Sequence, residues 1–181
     1  MEEVEAIAVH EAGHALMFDA LGVPIELVTV VPSDVLKFDG HIRLASESNN
    51  VVAVLAGTMA GPAASFYIVQ DVSPESHKKF ASDQKLIQAM HEAEEDIEPF
   101  DRLWQRIQFF MQSWLHDWIL AHRGPIRNFA AALVTAKTLS GPALREALGT
   151  AWDGGRPDPE ALRKELLAAL AAQGLVKQDK V

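Results

Sequence analysis

The sequence predicts a mainly α-helical α+β domain, with a small β-sheet or hairpin beside its first helix. Three observations lead there. Most of the 181 residues lie in stretches with helical apolar spacing, only two short runs read as strands, and Gly and Pro punctuate the intervals. With 49% hydrophobic and 23% charged residues, the chain can bury one substantial core.

Residues 4–21 form the first predicted helix, apolar and Ala-rich, stopped by Gly22, Val23 and Pro24. Residues 25–31 are rich in β-branched side chains and end at Pro32, as a strand would, and 33–40 read as loop. The alternation at 41–45 predicts a second short strand pairing with the first. A helix is expected over 50–69, where no charge occurs. Its Gly57, Gly61, Pro62 and Ser65, with Asp71 close behind, favour a buried small-residue helix over a membrane span. Further helices are expected at 76–93, 99–122, 126–138 and 143–148. Gly124-Pro125 and Gly141-Pro142 act as breaks, and the acidic cluster at 92–98 is a solvated end. Residues 153–159 read as a linker, with Asp158 and Pro159 capping a last helix to residue 173. The expected division is a main domain over 1–150 and a linker with C-terminal helix over 151–181, packed on the same domain.

Composition excludes several functions. A net charge of −9 with scattered basic residues disfavours a nucleic-acid partner. The absence of cysteine removes disulfides, thiolate zinc sites and a cysteine nucleophile together, so any metal must be held by His, Asp or Glu. Glu2, Glu3 and Glu5 stand where a signal peptide would carry Lys or Arg, and the expectation is a cytoplasmic protein without a membrane span.

The run His10-Glu11-Ala12-Gly13-His14 carries the chemistry. A spacing of i, i+4 brings both imidazoles to one helix face, about 5–6 Å apart at Cβ, where they can share a metal ion, while Glu11 is placed as general base for an activated water. Zinc hydrolysis is the class implied, with Zn2+ as cofactor and a zincin-like domain as its setting. A third ligand must come from elsewhere, and the candidates are His41, Asp71, His77, Asp83, His91 and the acidic residues after it. Phe80, Asp83, Ile87 and Met90 recur at helical spacing, which sets Asp83 in an apolar stripe where a charge needs a partner: a metal, a Lys or a helix end. His41, opening a short strand, is also a candidate substrate contact. The Trp residues at 104, 114, 118 and 152 suit either a core or a helical interface.

The segment Ala8-Val9-His10-Glu11-Ala12-Gly13-His14-Ala15 resembles the zinc motif in the peptidase domain of the FtsH-type AAA+ zinc metalloproteases, and Ser82-Asp83-Gln84-Lys85 resembles the segment bearing that family's third ligand. The resemblance extends over roughly residues 4–148. It implies that His10, His14 and Asp83 hold zinc, that Glu11 is the catalytic base, and that the activity is metalloendopeptidase cleavage of polypeptides. Departures accompany it. Ser65 stands where the family carries Glu, Pro62 where it carries Arg, and 74–80 replaces a Gly/Ser loop. Nothing resembles a P-loop, so the expectation is a peptidase domain without its ATPase, acting on flexible or unfolded polypeptides as a homo-oligomer or through a recruiting partner. The rival readings are a catalytically silent zinc-binding structural or regulatory protein and a helical interaction module. Strand addition of substrate along 25–31 is expected from the β-rich character of that stretch.

Overall fold

The computed structural model describes residues 2–32, 40–46, 50–70 and 100–176, with side chains of 100–104 excepted. It is a predominantly α-helical domain with one small, open, three-stranded antiparallel sheet. The helix expected at 76–93, the acidic cluster at 92–98, and with them Asp71, His77, Asp83 and His91, lie outside the described residues.

Helix α1 (Glu3–Ala20) opens on a capping box in which Glu5 accepts from the Glu2 backbone N–H at 3.0 Å. Every residue from Ala8 to Phe18 is buried. The helix is therefore wrapped on all sides, and this explains why its sequence shows no polar face. Its widest contacts are with α2 (Val51–Ala64) and α4 (Arg123–Ala136). Helix α2 starts at Asn50, whose Oδ1 accepts from Ala53 N at 3.0 Å. Small residues let it approach α1 closely. A Cβ on Gly13 would stand 2.6 Å from the Ala60 carbonyl oxygen, and the Phe18 ring fills the space beside Gly57. The window 51–69 is long and apolar enough to cross a membrane, and 61% of it is buried inside the protein.

At Ser65 the helix widens into a π-helical turn (Ser65–Val69), closed by Gln70 N–H donating to the Ser65 carbonyl at 3.2 Å. Helix α3 (Phe100–Ala121) follows after the segment not described. It sends Met111, Leu115, Trp118 and Ile119 into the core. The break expected at Gly124-Pro125 is present, but it lies at His122, just before those two residues. Both residues lie in the first turn of α4, where proline's missing N–H has no helical partner to lose.

Strand β1 (Ile25–Thr29) pairs with β2 (His41–Leu44), as expected of the two N-terminal strands. It also pairs on its other side with β3 (Thr138–Ser140), for which a helix end was expected, so the order is β2-β1-β3. Val28 is fully buried against Ile42 and Leu139 on the face toward the helices. Strand β1 is thus the interior strand, and the expected substrate edge at 25–31 is occupied by β3. Substrate addition there is ruled out by pairing.

Helix α5 (Gly141–Trp152) and α6 (Pro159–Ala172) are the last helices among the described residues, the latter capped by Asp158 Oδ1 accepting from Ala161 N at 2.7 Å. Leu162, Leu166 and Leu170 of α6 join the same hydrophobic cluster as α1. At the C-terminal end of α1, Asp19 accepts from Trp152 Nε1 at 2.8 Å and pairs with Arg156 at 3.0 Å. Trp152 packs edge-on to Trp118, and His122 stacks on Trp118 at 4.4 Å between ring centroids. These two tryptophans are core residues, 3% and 6% exposed respectively.

Candidate metal centre

His10 and His14 lie one turn apart on α1, both buried, with their ring planes at 84°. Their Nε2 atoms converge to 3.0 Å. Two nitrogens each bound at about 2.0–2.1 Å in a tetrahedral zinc site stand about 3.3 Å apart, so this spacing suits two ligands of one ion.

The opposite ring nitrogens are anchored. His14 Nδ1 lies 2.8 Å from the Gly57 carbonyl oxygen, and because a carbonyl only accepts, Nδ1 carries the proton and the lone pair of the neutral ring falls on Nε2. His10 Nδ1 lies 3.1 Å from Ser65 Oγ. Gly57, Gly61 and Ser65 follow at i, i+4 and i+8 on α2 and the turn beyond, so one stripe of that helix faces both imidazoles. The His14 ring takes up the room a side chain at Gly61 would need.

Glu11, 5% exposed, lies on the side of α1 toward the sheet. A Cβ on Gly40, just before β2, would be 3.0 Å from Glu11 Oε1 and 2.9 Å from the Thr29 carbonyl oxygen, so glycine there makes room for the carboxylate under the strands. Among the described residues no group of three His, Cys, Asp or Glu gathers to hold a metal. The two imidazoles are thus a ligand pair.

The register turns His41 away from this centre. It pairs with Thr29, on the face opposite Gly40 and Ile42, beside Thr138, whose Oγ1 lies 2.7 Å from Thr29 Oγ1. Its Nδ1 is buried with no hydrogen-bond partner among the described residues. Sequence reasoning noted Ser65 as a departure and missed its contact with His10. The available signal was its place on the Gly57–Gly61 stripe, the one hydroxyl at that spacing.

No family model matches the chain, and no curated protein matches it in sequence.

Proposed function

We propose that the protein is a zinc-dependent endopeptidase of the zincin type, resembling the FtsH-type peptidase domain and cleaving flexible or unfolded polypeptides. One observation carries this reading: two buried imidazoles with converging Nε2 atoms and anchored Nδ1 atoms, next in sequence to a buried carboxylate.

His10 and His14 would hold the ion through Nε2, with Asp83 proposed as the third ligand. Zinc held there supplies a Lewis acid for the scissile carbonyl and lowers the pKa of water enough to make a nucleophile at neutral pH. Glu11 accepts the proton that the attacking water gives up and delivers it to the amine nitrogen as the C–N bond breaks. The apolar surroundings of α1 keep bulk water from Glu11 and strengthen its electrostatics. The strand edge nearest Glu11 belongs to β2, which follows Gly40 and is paired on one side only among the described residues, so an extended substrate would add there. Recognition by backbone pairing suits unfolded chains of varied sequence.

The test is zinc stoichiometry together with cleavage of casein by the wild type and Glu11→Gln. One zinc per chain in both proteins, with cleavage falling about 10²–10⁴-fold in the variant, is the expected result. Equal cleavage by both would remove Glu11 as the base. Zinc without cleavage in the wild type would make the protein a silent zinc binder, and no zinc would leave an interaction module.

A further inference from the structure

We infer that Ser65 is a positioning residue for the metal pair, its hydroxyl presented to His10 by the same α2 stripe that carries Gly57 and Gly61. The inference rests on the zinc reading above. The two imidazoles are held unequally. His14 Nδ1 meets a backbone carbonyl that no side-chain substitution removes, whereas His10 Nδ1 meets the side chain of Ser65, a residue 3% exposed, at 3.1 Å.

Ser65 is engaged through backbone and side chain alike. Its carbonyl takes the Gln70 N–H that closes the wide turn, and its Oγ meets His10. The turn is tied down further along, where Arg123 Nη2 donates to the Tyr67 carbonyl at 3.2 Å, and it ends at Gln70 in the left-handed region with φ 60°.

With a metal taking the lone pairs of both Nε2 atoms, the Ser65 hydroxyl would accept from the His10 Nδ1–H, which keeps the His10 lone pair on Nε2, the nitrogen that faces His14. With the hydroxyl gone, Nδ1 loses this partner, and its hold on the tautomer and on the aim of Nε2 is weakened.

The test compares wild type, Ser65→Ala, Ser65→Thr and, as a control, Thr135→Ala, whose exposed hydroxyl bonds only its own helix at the Ala131 carbonyl. Zinc affinity is read by chelator competition, and ligand geometry by the visible absorption of the Co2+-substituted protein. Ser65→Ala should bind zinc about 10–100-fold more weakly with an altered Co2+ spectrum. Ser65→Thr should recover most of the affinity, and Thr135→Ala should match the wild type. A second readout needs no variant: in the zinc-loaded wild type, nitrogen-15 NMR should show Nδ1 protons on both His10 and His14 in slow exchange with solvent. Unchanged affinity and spectrum in Ser65→Ala, or fast exchange at His10 alone, would overturn the role of Ser65 and leave the zinc reading standing. A wild type that takes up no zinc would overturn both.

Discussion

The imidazole of His14 occupies the space that a side chain on Gly61 would need. Glycine at 61 is therefore a steric requirement of the metal pair. The same stripe carries Gly57, whose carbonyl holds His14 Nδ1 and whose missing side chain admits the Phe18 ring. The closeness of α1 and α2 and the orientation of the ligands thus have one cause.

Gly61→Ala should accordingly lose zinc binding and about 1–3 kcal/mol of stability, as an overpacked core does. Gly149→Ala is the matched control. It lies within α5, where an added Cβ meets nothing within 4 Å, and it should gain about 0.4–1 kcal/mol. Urea denaturation and zinc stoichiometry on both variants check the pair. Zinc retained by Gly61→Ala would show that the His14 ring moves without cost.

Zinc itself should stabilise the folded state, since the pair exists only when α1 is helical and packed on α2. At a free zinc concentration of 100 times Kd the gain is about 2.7 kcal/mol, which for a domain of this size is a rise in Tm of roughly 5–10 °C. A chelator should reverse the rise, and His14→Ala should show none. A zinc-induced rise that persists in His14→Ala would place the ion elsewhere.

What the sequence made legible follows from the range of the interactions. The His10/His14 pair, the β1–β2 pairing and the cap at Asp158 are local or nearly so, and their spacing shows them directly. Strand β3 was not legible. Three residues, Thr138-Leu139-Ser140, carry too short a period to reveal a strand, and what makes them one is pairing with Leu27, Val28 and Thr29 more than a hundred positions away. That pairing also moved β1 from edge to interior. Gly124-Pro125 marked the break between two helices but put it two residues late, because a helix accepts both residues in its first turn. Ser65 was visible as a departure, but its partner His10 lies on another helix, 55 positions away.

Asp19 should make stability depend on pH in a direction opposite to a favourable ion pair. Burial raises its pKa above the ordinary value of 3.8, against the opposing pull of the Trp152 hydrogen bond and the Arg156 charge. The folded protein therefore keeps this proton at pH values where the unfolded chain has released it. Its contribution falls as pH rises from about 3.8 through the raised value and is level above. Asp19→Asn keeps an acceptor for Trp152 Nε1 and has no charge to bury. The variant should be more stable than the wild type at pH 7, with the difference shrinking toward zero near pH 3.5. Denaturant titrations across that range would contradict this if the variant were the weaker protein at pH 7. Trp152→Phe, which strips the carboxylate of its indole donor, should cost about 1–3 kcal/mol.

The C-terminal helix should melt with the rest of the protein. Leu162, Leu166 and Leu170 recur at i, i+4 and i+8 along α6 and are buried in the cluster that includes α1, and Arg106 of α3 donates to the Gln173 carbonyl at 3.0 Å just past the helix. Residues 153–158 look like a linker by composition, yet Arg156 within them grips both the carboxylate and the backbone carbonyl of Asp19. A helix held at both ends and along one face shares the cooperativity of the core it completes. Leu166→Ala, at a site 1% exposed, should therefore cost about 2–5 kcal/mol and shift a single unfolding transition seen alike by circular dichroism and by tryptophan fluorescence. Trp118 and Trp152 report from the core while the helical signal reports from the whole chain, so coincidence of the two curves is the decisive observation. If α6 were an appended unit, the circular dichroism curve would split and the fluorescence midpoint would stay where the wild type has it.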